Sequence, residues 1–431
     1  MSYSSRVRDI LDKAGATEGD TLLVRSEGRD STGVLMPHHD FSHPDVVVLK
    51  LKSGYNVGVM VTPVSEVSVI SKAEAREKHP KVAVNGKGRK KVAVLGTGGT
   101  IASYVDYRTG AVHPALSAGD LVSTVPEIAD VCDVRAEVLF SIFSENMGVE
   151  HWQRIAEAAA DRINGGVEGC IIPHGTDTMG YTAAALSFML DGLTRPVVLV
   201  GAQRSSDRPS SDAYTNLLSA ARFIVDTDAA EVVVLMHETS SDTTAAVHRG
   251  TKVRKMHTSR RDAFQSINAS PIARVDFEGS IEFMQLYQKR SQGKITPRTE
   301  MEKNVALLYF YPGMSPTVFE KVLNDSRGVV FAGTGLGHVS SDMVKTIGKA
   351  VAGGTTVVMT SQCLNGMVNL NVYDNGRDLI TAGVIPGGDM LPETAYIKLM
   401  WTLGQTSDAS KAREMMITDL RGELTERREM A

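Results

Sequence analysis

KVAVLGTGGTIAS, residues 91–103, is an apolar run that ends in a cluster of glycine and threonine. Apolar side chains at every position from Val92 to Leu95 describe a strand buried on both faces. Gly98 and Gly99 then let the backbone turn sharply and bring its N–H groups close to a ligand. The same texture recurs at GCIIPHG (169–175), PVVLVGA (196–202), EVVVLMH (231–237), VALLYFY (305–311), GVVFAG (328–333) and TTVVMT (355–360). Between these runs, HWQRIAEAAADRI (151–163), TAAALSFML (182–190) and AYTNLLSAARFIV (213–225) carry apolar residues at three-to-four spacing, as amphipathic helices do. Strand, glycine-rich turn and helix in alternation predict a mostly parallel sheet with helices on both faces. Ser144 and Asp212 stand where N-caps are expected.

Upstream, the pattern is different. TLLV (21–24), VVVLKL (46–51), VGVMV (57–61) and VSVI (67–70) are short runs broken by Gly, Pro, Asn, Asp and His, which predicts a small β-barrel or sandwich. Residues 71–91 turn rich in Lys, Arg and Gly and read as a solvated connector. The segment from about Asp276 to Lys303 is polar and weakly periodic, and reads as a connection between two lobes. The expected organisation is a β-barrel module over 1–80, a basic linker over 81–91, a first α/β domain over 92–285, a connection over 286–303 and a second α/β domain over 304–431.

A chain of 431 residues exceeds one ordinary core, so several domains are the default. With 42% apolar and 22% charged residues it reads as globular, and a net charge of −4 argues against a surface that holds nucleic acid unaided. Cys132, Cys170 and Cys363 are three, widely spaced and without a CxxC pair, so neither a disulfide framework nor a zinc ribbon is expected. Cys363 is expected as a small buried hydrophobe. MSYSSRVRDILDKAG has no apolar core of a signal peptide, and no run is long enough to span a bilayer. A cytoplasmic location follows as the expectation.

Ligands of an open parallel sheet bind beyond the carboxyl ends of its strands, which directs attention to TGGTI (97–101) and HGTDT (174–178). A dinucleotide fingerprint starting at Gly96 requires glycine where Ile101 stands, and no GxxxxGK[ST] occurs. His174 lacks any ligand spacing and HExxH is absent, so no catalytic metal is expected. Two hydroxyl-bearing loops with a carboxylate suit attack on a carboxamide, given a base for the hydroxyl proton and donors for the oxyanion. Thr176, Asp177 and Thr100 are equally well placed as helix caps.

TGGTIAS, HGTDTM, GAQR followed by SDAYTNL, and RGTKVRKMHTSRRDAFQS (249–266) resemble the L-asparaginase family in order and spacing, from Lys91 to the end of the chain. The N-terminal β module and NVYDNGRDLITAGVIPGGDMLPETAYIKLMW (371–401) resemble its branch of archaeal tRNA-dependent amidotransferase subunits. The resemblance implies an asparaginase-like, two-lobed, parallel-sheet α/β core behind the small barrel. It implies Thr100 as nucleophile and Thr176, Asp177 and Lys255 as the other catalytic residues, Lys255 being singled out by its nine-residue step to Phe264. A lysine that accepts a proton at neutral pH has to be buried or beside other cations.

By the same resemblance Gly99, Ser144, Glu145, Thr176 and Asp177 grip the substrate, although asparaginases often carry Gln where Glu145 stands. Ser144 has an alternative as the N-cap of the helix containing Trp152. Tyr104 or Tyr107 takes the place of a lid tyrosine, both nearer to Thr100 than is usual. His338 matches a position through which a second protomer closes the site, and is otherwise a loop histidine. The resemblance implies a homodimer that frees ammonia from Gln or Asn for a partner, the amidotransferase component GatE. No cofactor is expected in this chain; ATP and Mg, and most contact with Glu-tRNA(Gln), are expected in the partner. The alternative is a free-standing cytoplasmic asparaginase.

Overall fold

Helix α1 (Ser5–Lys13) opens the chain, its first turn capped where the Ser4 hydroxyl accepts the Val7 N–H. The computed structural model describes residues 3–36, 38, 43–50, 56–72, 88–98, 103–106, 111–114, 127–204 and 211–425. Five antiparallel strands follow α1: β1 (Thr21–Ser26), β2 (Arg29–Leu35), β3 (Val46–Lys50), β4 (Asn56–Met60) and β5 (Glu66–Ser71), in the order β4-β3-β2-β1-β5. Val7 and Leu11 of α1 pack with Leu22, Val24, Leu35 and Leu49. The expected barrel is therefore an open sheet: β4 and β5 lie at opposite edges and do not pair among the described residues. The helix covers the apolar face that closure would have hidden. It escaped the sequence reading because its apolar face is only Val7, Ile10 and Leu11 in a short, mostly charged segment.

The large lobe begins with β6 (Lys91–Gly98), the hairpin β7 (Ser103–Asp106) and β8 (Ala111–Pro114), α2 (Ile128–Val131) and β9 (Asp133–Ile142). It continues through α3 (Val149–Asn164), β10 (Cys170–Pro173), α4 (Met179–Met189), β11 (Leu190–Asp191), β12 (Val197–Val200), α5 (Ala213–Asp226) and β13 (Val232–His237). Strands β13-β12-β10-β6-β9 are parallel neighbours. Alternate residues explain the continuous apolar runs: Ile172, Leu199 and Val234 pack with α3 and α4, whereas Ile171, Val198 and Val233 pack with α5.

Beyond β13 the sheet continues antiparallel through β14 (Thr244–Arg249), and a separate two-stranded hairpin follows, β15 (Val253–Lys255) with β16 (Phe264–Ser266). Next, β17 (Ala273–Asp276) and β18 (Ile281–Phe283) complete the eight-stranded sheet, so the first part of the expected connection is in fact an edge hairpin. Its polar residues alternate around half-buried ones, too short a pattern to stand out.

The second lobe follows β19 (Thr296–Pro297), with a parallel sheet of β20 (Val305–Tyr309), β21 (Gly328–Gly333), β22 (Thr356–Ser361) and β23 (Ile385–Pro386). Its helices are α6 (Pro316–Asp325), α7 (Ser341–Ala352), α8 (Asp374–Thr381), α9 (Pro392–Gln405) and α10 (Ala409–Ile417). Helix α9 packs on α4 of the large lobe, where Phe188 and Trp401 stack at 5.8 Å, so the lobes share one apolar core. No described helix is long and apolar enough to cross a membrane.

Candidate active site

The carboxyl ends of β6, β9 and β10 are drawn together by close contacts. The Thr97 hydroxyl donates to the Pro173 carbonyl at 2.8 Å inside the core. Gly98 has φ +105, and a Cβ there would sit 2.4 Å from the Ile142 carbonyl oxygen, so only glycine lets β6 leave the sheet at this point. Gly99 and Thr100 follow immediately and lie outside the described residues, as does Tyr107. Tyr104 falls in β7, and its side chain is also outside the description.

After β10, His174 is fully buried. Trp152 Nε1–H donates to Thr182 Oγ1 at 3.0 Å, which leaves the Thr182 hydroxyl to donate to His174 Nε2 at 2.9 Å. The ring proton then belongs on Nδ1, which lies 2.6 Å from the Gly175 carbonyl oxygen. Burial pushes the imidazole down to about 4, so it is neutral and holds the loop rather than titrating near neutral pH. Gly175 has no room for a side chain: a Cβ would lie 2.7 Å from that of Ser144.

Thr176, 7% exposed, and Asp177 follow. Lys255 Nζ lies 2.8 Å from Thr176 Oγ1 and 2.8 Å from Asp177 Oδ1. The lysine side chain is 14% exposed and the aspartate 72%, so a covered amine joins a sheltered hydroxyl to a carboxylate that faces solvent. Lys255 closes β15 directly opposite Phe264, which turns the nine-residue step in the sequence into a cross-strand pair. The arrangement suits proton transfer between hydroxyl and amine while the carboxylate fixes the amine's direction.

For Thr176, Asp177 and Ser144 the capping alternatives fail, while that for Thr100 lies outside the described residues. Thr178 occupies the N-cap position of α4 without a side-chain cap, and its hydroxyl donates instead to the Ser144 carbonyl at 2.7 Å. Ser144 starts a 3₁₀ turn (Ser144–Asn146), and the N-cap of the Trp152 helix is Gly148. Ser144 is buried beside Gly175, while Glu145 is exposed. Asp212 does stand at the N-cap of α5, yet its carboxylate makes no cap bond and accepts the Gln203 and Arg204 N–H groups.

Comparison with known proteins bears on this geometry. The N-terminal asparaginase family model matches residues 91–288, the glutaminase/asparaginase C-terminal domain matches 304–416, and the GatD N-terminal domain matches 16–70. The chain is 52% identical to GatD, a component of the glutamyl-tRNA(Gln) amidotransferase, from Pyrococcus furiosus, covering 97% of this chain and 98% of that protein. It is 45% identical to the GatD of Methanosphaera stadtmanae, covering 98% and 97%. The chain belongs to the GatD family. Among solved structures, the thermostable L-asparaginase from Thermococcus kodakarensis matches with a TM-score of 0.69 and 33% identity, over 78% of this chain and 99% of that one. L-asparaginase I from Vibrio cholerae matches with 0.68 and 29%, over 78% and 99%.

The structure thus brings Ser144, Thr176, Asp177 and Lys255 of this GatD family member together at the carboxyl end of the large sheet's parallel strands. His338 lies elsewhere, on the second lobe: it forms a bridge with Thr334 and packs edge-on against Tyr373 at 5.3 Å. Cys363 is exposed, against expectation, because it follows β22 in a loop rather than lying within the strand. Sequence reasoning missed the Trp152–Thr182–His174 chain of bonds. Its one trace was a threonine and a tryptophan on helix faces otherwise made of small apolar residues.

Proposed function

We propose that the chain hydrolyses the side-chain amide of Gln or Asn, with Thr100 as nucleophile and Thr176, Asp177 and Lys255 as the relay that moves protons. The observation that carries this reading is the pair of 2.8 Å contacts from Lys255 Nζ to Thr176 and Asp177. A hydroxyl attacks the carboxamide carbon and its proton passes to the amine; the same proton then leaves with the departing ammonia, and water releases the acyl group. Gly99 and the Ser144 N–H are the backbone donors we assign to the oxyanion, and Asp177, Ser144 and Glu145 the grips on the amino acid. Tyr104 or Tyr107 closes over the substrate, and His338 approaches from the second protomer of a homodimer.

The ammonia serves amidation of Glu-tRNA(Gln) in a partner, GatE. That step requires carboxylate activation by phosphoryl transfer, and the sequence has no nucleotide-phosphate motif, which supports placing ATP and Mg in the partner. The net charge of −4 supports placing most tRNA contacts there as well. The assembly is a homodimeric core with two copies of GatE, and ammonia travels between sites by an enclosed route because free solvent would protonate it.

The test assays purified chain for ammonia release from Gln and Asn, then for Gln-tRNA(Gln) formation with ATP and Glu-tRNA(Gln), before and after adding GatE. We expect amidation only in the presence of GatE and no ammonia release from Thr100→Ala. Full amidation by the chain alone, or no association with GatE, leaves a free-standing asparaginase as the better reading.

A further inference from the structure

The hairpin that carries Lys255 has strands of three residues that, among the described residues, pair only with each other. So short a ladder is marginal by itself, and its position has to be set from outside. Within the large lobe, its side-chain ties are the His248–Ser266 bond at 2.9 Å, the Arg261–Asp242 ion pair and the Lys255 contacts to Thr176 and Asp177. Further side-chain ties of the hairpin and its flanks cross to the second lobe and to the end of the chain, among them the Arg254–Glu393 ion pair at 3.1 Å and the Thr251 hydroxyl's bond to the Arg421 carbonyl. Thr394 Oγ1 donates to the Thr251 carbonyl at 2.9 Å, and Asn268 Nδ2 donates to the Asp389 carbonyl at 3.1 Å.

At the centre of these ties is a buried cation. Lys252 Nζ lies 2.7 Å from Asp389 Oδ2, with the two side chains 2% and 5% exposed. The same amine donates to Thr425 Oγ1 at 3.1 Å, and the Thr425 N–H donates to the other Asp389 oxygen at 3.0 Å. Two charges taken out of water are held only where each finds complete partners, so this group tolerates little displacement. Lys252 is three residues before Lys255.

We propose that Lys252, Asp389 and Thr425 are positioning residues for Lys255, so that the second lobe and the chain's final described turn set the distance from the lysine to Thr176. The inference rests on the relay reading of Lys255. A shift near 1 Å in a catalytic group costs on the order of 100-fold in rate, whereas the substrate grips at Ser144 and Asp177 take their backbone positions from other loops and move less than the lysine. Loss of the latch therefore lowers kcat and spares KM.

The test compares the full chain with Asp389→Asn, Thr425→Val, Lys252→Arg and Lys255→Ala, following ammonia release from Gln and the thermal melt of each. We expect Asp389→Asn to lower kcat by ~10- to 100-fold with KM within about twofold. Thr425→Val, which keeps the N–H bond to Asp389, should lower it by less, and Lys252→Arg, which still reaches the carboxylate, should retain most activity. If Asp389→Asn does not fold, Thr425→Val decides, since it removes one hydroxyl. Folded Asp389→Asn or, failing that, folded Thr425→Val with unchanged kcat overturns the latch, provided Lys255→Ala is inactive. An active Lys255→Ala overturns the relay itself, a different result.

Discussion

Both lobes end parallel strands in glycine-rich loops, yet their polar side chains serve different ends. In the second lobe they bind backbone: Thr360 Oγ1 donates to the Phe331 carbonyl, Thr334 Oγ1 to the His338 carbonyl and Ser361 Oγ to the Gly335 carbonyl. The Thr334 bond closes its own turn and the other two tie strand β22 and its end to the backbone of the neighbouring strand and loop, so each hydroxyl is used up in holding the scaffold. In the large lobe Thr176 and Asp177 bind a lysine side chain from a distant hairpin, and the carboxylate still faces solvent. The difference teaches that a Gly-Thr loop beyond a strand is a scaffold by default. It becomes a candidate for chemistry when its hydroxyl meets a charged group from elsewhere in the chain.

Substitution should separate the two regions most sharply in rate. Thr176→Val and Lys255→Arg are expected to reduce kcat for ammonia release by ~10³-fold or more, the arginine failing because it keeps the charge but cannot give up its proton. Ser361→Ala should leave kcat unchanged and cost about 1 kcal/mol of stability, measured by chemical denaturation. An active Lys255→Arg, or an inactive Ser361→Ala, would erase the contrast.

A second test uses pH. His174 and His248, both in the large lobe, are fully buried and pushed down by burial to about 4 from 6.5. In the unfolded chain each ring takes up a proton near 6.5, while in the folded chain it stays neutral until near 4. Stability is thus intact above about 6.5 and is lost as pH falls toward 4, by about 3 kcal/mol per ring. The unfolding free energy, followed from pH 7 to 4, should show uptake of roughly two protons from this pair. His248→Gln should remove close to one of them; an unchanged slope would place the ring's titration elsewhere.

The smallest effect is expected at Cys363 in the second lobe. Since the thiol is exposed, Cys363→Ser should change stability by less than about 0.5 kcal/mol and leave ammonia release untouched. Lost activity would show that the second lobe's loops take part in the chemistry.

The buried parallel strands were legible because covering helices leave no polar position in a run such as Val197–Val200. Strand closure was not, since three apolar residues in α1, Val7, Ile10 and Leu11, decide whether the N-terminal sheet needs to close. The Thr176, Asp177 and Lys255 group was reached through motif resemblance, because a bond across 79 residues of chain leaves no periodic signal. Capping at Ser144, Thr176 and Asp177 was a fair local expectation that tertiary contacts replaced. The Lys252–Asp389 pair, 137 residues apart, was invisible for the same reason as the relay.

Gly175 has a consequence for how such a site changes over generations. The space where its side chain would stand is filled by Ser144, and Ser144 in turn receives the Thr178 hydroxyl on its carbonyl. A methyl group at position 175 therefore cannot be absorbed by its own loop; it displaces the neighbouring strand's turn as well. The two loops form one heritable unit, in which a viable change at 175 requires a simultaneous answer at 144. Variation in substrate preference is then expected to arrive through exposed neighbours such as Glu145, whose replacement disturbs no such shared wall.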